Sequence, residues 1–315
     1  MSVKKTKLVE VDEHHAGQRI DNYLLAYFTK VPKSRIYRAL RNGEVRVNKK
    51  RVKPPYRVKI GDIVRIPPIQ DSESIQKSVV LDDQQVEQLE KLILFENEHL
   101  LVINKPSGLA AHSGSGDRWG VIEGFRYSRE HQPFLELAHR IDKETSGCLV
   151  LAKSRRALLD VQSSLHAENS VKQYQLLVKG RWQVNRYVCE HLLEKQTASQ
   201  AGPKMKSGDQ GKPAKTLFTT RELLGQHSLM MATIETGRTH QIRVHAQLEG
   251  HPVAGDKRYG DFEYNRSLQK LGLKRMFLHA SFLKLELEDF SQTYEFVAPL
   301  PGELKQICKQ LRQSG

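Results

Sequence analysis

The chain has 315 residues, of which 38% are hydrophobic and 27% are charged. This length favours two globular domains, and the composition excludes a wholly disordered protein. Fifty Lys and Arg against thirty-six Asp and Glu give a net charge of +14, which favours a polyanionic partner. No apolar run approaches the ~20 residues of a membrane-spanning helix, and the polar N-terminus shows no secretory signal. We therefore expect a cytoplasmic protein that binds nucleic acid and not a membrane.

Most of the excess charge lies near the N-terminus. Between Lys30 and Arg65 there are thirteen Lys and Arg against two acids, which is net +11. The pattern predicts helices over 18–28 and from 33 or 34 to Asn42-Gly43, then short strands near 45–52 and 63–66. Such a cluster can be an ordinary solvent-exposed surface, but proteins also use clusters of this kind to neutralise the phosphates of nucleic acids. We therefore predict a phosphate-binding surface. The candidate phosphate-binding cations are Lys33, Arg35, Arg38, Arg41, Lys49, Lys50 and Arg51.

A change of composition divides the chain. Pro67-Pro68 ends the basic segment, and residues 69–91 hold many acidic, Gln and Ser residues but few apolar ones. We predict an N-terminal domain over residues 1–68, a linker with some helical potential over 69–91, and a second domain over 92–315.

The second domain alternates apolar runs with turns. Strands are predicted at 93–95, 100–103, 149–151, 176–178, 216–220, 230–235, 275–287 and 294–297, and helices at 154–166, 239–248 and 303–311. Strands outnumber helices and several could form hairpins, so we predict an α+β fold with a central mixed, mostly antiparallel sheet flanked by helices. Residues 190–215 show little periodicity, and we predict a long loop there.

Four polar blocks carry candidate chemistry. Asp142 lies in the turn HRIDKETSG, before a buried strand, and Tyr174 alternates with polar neighbours in KQYQLLV. Arg243 lies near the start of the helix predicted with Thr239 as its N-cap, where the helix dipole disfavours a cation unless a buried Asp is close. Lys105, at the corner NKPSG, could contact phosphate or brace the sheet. Taken singly, each block is also compatible with an ordinary structural role.

Together and in this order, the blocks resemble the pseudouridine synthase family of the ribosomal large-subunit type. HRIDKETSG matches the family's HRLD-x-x-TSG signature with Ile for Leu, and NKPSG, KQYQ, GRTHQIRVH and FLHA fall where the family has its other blocks. The stretch over residues 17–67 resembles the αL RNA-binding motif. With GSGDRWGVIEG, it is most similar to the enzymes that modify several uridines of 23S rRNA. One departure is Leu176, where the family commonly has a small Ala.

The resemblance implies a reaction that needs no metal or cofactor. The bond between uracil and ribose breaks, the base turns, and it rejoins through carbon five. Asp142 would be the essential carboxylate, Arg243 would hold it ionised, and Tyr174 would stack on the uracil. Arg140 would fill the gap left by the flipped base, and Leu278 would form the apolar floor of the pocket. Whether Asp142 attacks the sugar or removes a ribose proton stays open.

The implied partner is large-subunit ribosomal RNA, with loop or junction uridines as targets, because these bases leave the stack at least cost. We expect a monomer. Three alternatives remain open: the same chemistry on tRNA, a non-catalytic RNA-binding or ribosome-assembly protein, and a nucleoside N-glycosylase that releases uracil. The cysteines Cys148, Cys189 and Cys308 are far apart with no CxxC pair, so the sequence indicates neither a disulfide framework nor a cysteine zinc site.

Overall fold

The structure, a computed structural model, describes residues 6–13, 15–28, 31, 33–68, 80–113, 119–196 and 204–314, without the side chains of Lys33 and Ser314. Its contacts divide the chain into two compact units. One comprises residues 1–80 with 154–156, and the other residues 81–153 with 157–315. No helix in the described ranges is long and apolar enough to cross a membrane.

The first unit packs two helices on a small sheet. Its elements are β1 (Lys7–Glu10), α1 (Ile20–Tyr27), α2 (Lys33–Arg41), β2 (Arg46–Val47), β3 (Lys50–Arg51) and β4 (Ile63–Ile66). The described strands are ordered β1-β4-β2-β3 and pair antiparallel. The two predicted helices are confirmed. Their apolar faces share one core, which contains the fully buried Leu24 of α1 and Ile36 of α2. Strand β1 has no counterpart among the predicted elements.

The second unit is built on one large sheet. Its strands are β5 (Ile93–Glu96), β6 (Leu100–Lys105), β7 (Glu136–Leu137), β8 (Ser146–Ala152), β9 (Val171–Lys179), β10 (Tyr187–Gln196), β11 (Lys204–Ser207), β12 (Lys212–Leu224), β13 (His227–Ile234), β14 (Leu278–Leu287) and β15 (Gln292–Val297). Its helices are α3 (Asp83–Glu90), α4 (Val121–Ser128), α5 (Arg155–Ser164), α6 (Gln241–Leu248), α7 (Phe262–Lys270) and α8 (Gly302–Ser314).

The described strands of this sheet run β11-β10-β12-β13-β9-β14-β8-β6-β5, with β15 beside β14 and β7 beside β8. Among these pairings, β14 with β8 is parallel and the others are antiparallel. The predicted α+β fold with a mixed, mostly antiparallel sheet is therefore confirmed. The fully buried β8 reads as a continuous apolar run, as expected of a strand covered on both faces.

The parallel pairing brings two distant sequence blocks together. His279 and Ala280 on β14 lie opposite Ser146 and Gly147 on β8. Gly147 has a φ of 115°, and a Cβ there would collide with the carbonyl group of Ala280. The glycine that ends HRIDKETSG is therefore required by this close approach, which holds the turn containing Asp142 beside the start of β14.

The segments predicted as a linker and as a long loop both contain regular structure. Of the predicted linker, residues 69–79 lie outside the described part, and 81–91 belong to the second unit. There α3 begins at an Asp82 capping box and buries Leu89. The predicted loop 190–215 is instead formed by β10, β11 and the start of β12, apart from 197–203, which the structure does not describe. One face of β10 is exposed, so its polar alternate residues concealed the strand pattern.

A buried imidazole on β14 makes stability sensitive to acid. His279 is fully buried, and its Nε2 donates to the carbonyl oxygen of Ala298 at 3.0 Å, so Nδ1 accepts from the Ser146 hydroxyl at 2.8 Å. Burial lowers the pKa of His279 to about 4, whereas an unfolded His titrates near ~6.5. The unfolded state binds more protons between these values, so the free energy of unfolding falls as the pH drops through this window.

We expect His279→Gln to lose less stability in acid than the wild type, by a few kcal/mol, because an amide can make both hydrogen bonds without titrating. Urea unfolding of both proteins at pH values between about 7 and about 4.5 measures the difference. His166→Gln, at an exposed position, is the matched control. An acid slope in His279→Gln equal to that of the control would contradict the assignment.

Candidate active site

A buried lysine braces the turn that carries Asp142. The Nζ of Lys105 donates to the carbonyl oxygens of Pro106, Leu109 and Lys143 at 2.9, 2.8 and 3.1 Å. Burial lowers the pKa of Lys105 to about 7, and its side chain is fully buried. Of the two roles predicted for Lys105, the geometry supports bracing: a buried ammonium that bonds three carbonyls cannot reach a phosphate. The hydrogen bond to the carbonyl oxygen of Lys143 fixes the residue directly after Asp142.

Arg243 bridges two carboxylates. Its Nη1 donates to Asp142 Oδ2 at 3.0 Å, while Nε and Nη2 donate to Asp256 Oδ2 and Oδ1 at 2.7 and 2.9 Å. The side chains of Arg243 and Asp256 are 5% and 0% exposed, whereas that of Asp142 is 19% exposed. The bidentate pair fixes the guanidinium plane. Arg243 Nη1 is therefore held toward Asp142, the carboxylate that solvent can still reach.

The charges of this cluster support one another. Burial alone would raise the pKa of Asp256, but the hydrogen bonds and charge of Arg243, with the N–H groups of Arg258 and Tyr259, hold it below its usual range. Burial opposes the charge of Arg243, yet the two carboxylates raise its pKa further. The unfavourable position of Arg243 near the start of α6 is thus offset by two carboxylates, those of Asp142 and Asp256, whereas the sequence analysis expected one.

The start of α6 differs from the prediction. Thr239 is not the N-cap: His240 precedes the helix with a left-handed φ of 56°, and α6 begins at Gln241. The buried Gln241 side chain fastens this turn. Its Oε1 accepts from the Thr236 hydroxyl at 2.8 Å and from the Arg238 N–H at 3.1 Å, and its amide group donates to β12. These bonds position the helix that carries Arg243.

Tyr174 lies on β9 between two small residues. Its cross-strand neighbours are Ala232 on β13 and Ala280 on β14, which leave space beside the ring. Burial and the nearby charge of Asp142 raise the pKa of Tyr174, so the phenol stays protonated. The departure from the family at Leu176 faces the core, where its side chain is fully buried, and it leaves Tyr174 in place.

One pocket collects five of the predicted site residues. It is lined by Arg140, Asp142, Tyr174, Arg243 and Leu278. The lining is completed by Ile141, Ile234, Gly237, Arg238, His240, Gln241 and Ile242. Arg140 is exposed, and Asp142 is the one carboxylate among the described lining residues. The pocket thus combines a partly exposed acid, an aromatic ring, apolar residues and three guanidinium groups.

Sequence reasoning missed a histidine beside Asp142. The Nε2 of His240 lies 3.8 Å from Asp142 Oδ2, and its Nδ1 lies 2.9 Å from the Tyr259 hydroxyl. That hydroxyl already accepts from the Met205 N–H at 2.8 Å, so its proton is available to Nδ1, which leaves Nε2–H facing the acid. Burial, with the charge of Arg243, lowers the pKa of His240. Asp142 Oδ2 therefore lies near both the Arg243 guanidinium and a neutral imidazole.

The predicted cations of the first unit lie mostly at its surface. Arg38 and Arg41 are exposed on α2, and Lys49, Lys50 and Arg51 are exposed in the β2–β3 hairpin. Arg35 is half-buried and donates to Glu44 at 2.7 Å. The side chain of Lys33 lies outside the described part. The exposed cations therefore lie on helix α2 and on the β2–β3 hairpin that follows it in the chain.

Comparisons with known proteins agree with this geometry. Residues 99–248 match the family described as RNA pseudouridylate synthase, and residues 18–64 match the S4 domain. The chain is 47% identical over 307 residues to "Ribosomal large subunit pseudouridine synthase C" of Pasteurella multocida, covering 98% of this chain and 94% of that protein. The chain belongs to the RNA pseudouridine synthase family. The protein of the same name from Haemophilus influenzae is 44% identical, covering 98% and 96%.

Solved structures of pseudouridine synthases share the fold. "Human RNA Pseudouridylate Synthase Domain Containing 1" superposes with a TM-score of 0.55 at 26% identity, over 70% of this chain and 94% of that chain. "Human RNA Pseudouridylate Synthase Domain Containing 4" gives 0.59 at 24% identity, over 73% and 97%, and shows the fold alone. The resemblance inferred from the motifs is confirmed, as is the N-terminal RNA-binding module.

Proposed function

We propose that this synthase isomerises specific uridines of large-subunit (23S) ribosomal RNA, with Asp142 as the essential carboxylate. The observation that carries the proposal is the single acid in the described pocket lining, held by Arg243 within the family's signature turn. The choice of RNA rests on relatives that are 44–47% identical over 98% of this chain and are named for the large ribosomal subunit.

The reaction conserves all atoms. The N1–C1′ bond breaks, a C5–C1′ bond forms, the hydrogen of carbon five leaves to solvent, and N1 gains a proton. Asp142 acts either as the nucleophile at C1′ or as the base for a ribose proton, and Arg243 stabilises its anionic form in both routes. Tyr174 offers its ring for stacking on uracil, and Leu278 provides an apolar surface below the base.

The target base must leave its stack before it can reach Asp142. Flipping costs a few kcal/mol, and less for a base that is already unpaired, so loop or junction uridines are the proposed targets. We propose that Arg140, which is exposed and lies two residues before Asp142, occupies the space that the base vacates. We propose that one copy of the chain, acting in the cytoplasm, suffices, with residues 1–68 as the RNA-binding domain and 92–315 as the catalytic domain.

Mapping the product tests this proposal. Purified protein is incubated with 23S transcript and, separately, with tRNA transcripts, and carbodiimide labelling followed by primer extension locates each pseudouridine. We expect modification at a few loop or junction uridines of 23S RNA. Modification of tRNA alone would support the proposed reaction but contradict 23S RNA as its substrate. Free uracil in the supernatant would indicate an N-glycosylase.

Helix α2 and the β2–β3 hairpin are expected to bind RNA without taking part in the chemical step. Converting Arg38, Arg41, Lys50 and Arg51 to Gln should weaken binding of 23S fragments. It should also reduce the slope of log affinity against log salt by ~0.7–0.9 for each phosphate that the variant no longer neutralises. The single-turnover rate at saturating RNA should not change, because the pocket residues are untouched. Filter binding across a salt series and rapid-quench assays measure the two effects.

A matched variant tests whether position matters or only total charge. Lys270, Lys274, Lys305 and Lys309 are exposed in the second unit and carry the same charge, so their conversion to Gln is the control. An equal loss of affinity in both variants, or a slower saturated rate in the first, would contradict the proposed division of labour.

A further inference from the structure

A second cluster of reactive side chains lies at the C-terminal end of α6, away from the pocket lining. Cys189 and His191 are two residues apart on β10, and residues i and i+2 of a strand share a face. His245 and Glu249 are four residues apart, in α6 and directly after it, and residues i and i+4 share a helix face. A strand and a helix that are distant in sequence therefore bring four potential metal ligands to one part of the fold.

The donor atoms are already close to coordination spacing. Glu249 Oε1 lies 3.2 Å from Cys189 Sγ and 3.6 Å from His191 Nε2, and one donor atom from each of the three residues lies within 4.8 Å of the other two. Tetrahedral zinc with bonds of ~2.0–2.3 Å places its donors about 3.3–3.8 Å apart. Small side-chain adjustments would therefore bring all three around one ion.

His245 gives an independent sign of a ligand. Its side chain is fully buried, its Nδ1 lies 2.9 Å from the Thr216 hydroxyl, and its Nε2 has no hydrogen-bond partner among the described residues. Its ring centroid is 5.5 Å from that of His191. In the tautomer whose Nδ1–H donates to Thr216, Nε2 carries a lone pair, and metal binding would select that tautomer. A metal-bound imidazole usually donates its other ring N–H to an oxygen acceptor. Coordination would satisfy a buried nitrogen that is otherwise unpaired.

We propose that Cys189, His191, His245 and Glu249 form a structural zinc site. A thiolate, two imidazoles and a carboxylate suit zinc, whereas Mg²⁺ and Ca²⁺ prefer oxygen ligands. The Cys189 thiol donates to Glu249. Binding would therefore replace the S–H···O bond with a zinc–sulfur bond and release one proton per ion.

The surroundings are consistent with an ion that reaches the site from solvent and acts on the fold. The His191 side chain is 33% exposed and lines a surface groove with Leu192 and Pro213, which gives the ion a route. The closed ligand set would join β10 to the end of α6, whose first turn holds Arg243. The ion takes no part in uridine chemistry, so the inference does not depend on the proposed function.

The test uses the full-length, tag-free protein, stripped with EDTA and then equilibrated with zinc. Elemental analysis should find about one zinc per chain, and zinc should raise the unfolding temperature. Cobalt should give the intense visible bands of a tetrahedral site and a sulfur-to-metal charge-transfer band. Cys189→Ala should abolish the charge-transfer band and reduce bound zinc to below about a tenth per chain.

Two further variants keep the test decisive. Cys308→Ala removes another buried thiol, on α8, and should leave zinc binding unchanged. His191→Ala changes a partly exposed residue, so it should fold even if Cys189→Ala does not, and it should weaken zinc binding at least tenfold. Zinc retained at full affinity by His191→Ala, or no binding by the wild type at micromolar free zinc, would overturn the site.

Discussion

Replacing Asp142 with Asn is expected to abolish isomerisation while leaving RNA binding intact. Asn cannot act as a nucleophile or a base, and loss of an essential group of this kind costs on the order of 10⁴-fold or more in rate. The fold should survive because Arg243 keeps its bidentate pair with Asp256 and because Asp142 is partly exposed. Single-turnover release of tritium from carbon five of uracil, at saturating 23S RNA, measures the loss.

The matched control is Glu144→Gln. Glu144 is an exposed carboxylate two residues further along the same turn, and it does not line the pocket. Its replacement removes the same charge from the same loop, so it reports any general electrostatic effect on RNA capture. A rate for Asp142→Asn within about a hundredfold of the Glu144→Gln rate would contradict an essential role for Asp142.

Replacing Arg243 with Met is expected to damage stability and activity together. It leaves Asp256 as a buried charge without the guanidinium that pairs with it, and breaking a buried pair in this way costs about 3–5 kcal/mol of folding free energy. It also removes the cation that holds Asp142, so we expect the single-turnover rate to fall by at least about a hundredfold. Urea unfolding and tritium release measure the two losses separately.

A second substitution separates the two roles of Arg243. Adding Asp256→Asn to Arg243→Met removes the stranded charge, and the new amide oxygen can still accept from the N–H groups of Arg258 and Tyr259. The double variant should recover most of the lost stability and none of the activity. Recovery of the rate together with stability would show that Arg243 supports only the fold.

Much of the fold was accessible from sequence because local patterns and tertiary burial agree. The apolar run of β8 and the helical spacing in α1 and α2 each predicted an element that the structure contains. The prediction failed in β10, where few residues are buried and the apolar alternation typical of a strand is therefore weak. In β10, Cys189 and Leu193 are buried while the residues between them are exposed or half-buried, and the short apolar set resembled a loop.

The candidate site was predicted in part for a similar physical reason. The sequence placed Asp142, Tyr174 and Arg243 in separate blocks, and the structure brings them to one pocket. Asp256 was missed because its pairing with Arg243 is a tertiary contact with no sequence spacing of its own. The unfavourable placement of Arg243 on the helix dipole was the available signal, since a buried cation there requires a carboxylate nearby.

The proposed metal ligands were missed because sequence inspection looked for cysteines at short spacing. Here the strand contributes Cys-x-His and the helix contributes His followed four residues later by Glu249, more than fifty positions away. Each pair alone is an ordinary surface or core pattern. Only the packing of α6 on β10 brings them to one place.

Conversion of uridine to pseudouridine in 23S ribosomal RNA is tested most directly by tritium release. Wild-type protein is incubated with 23S transcript that carries tritium at carbon five of uracil, with labelled tRNA transcripts in parallel. Formation of the C5–C1′ bond expels that tritium to water. We predict release from 23S RNA and none from tRNA. No release from 23S RNA, with RNA bound and the protein folded, would contradict the proposed activity.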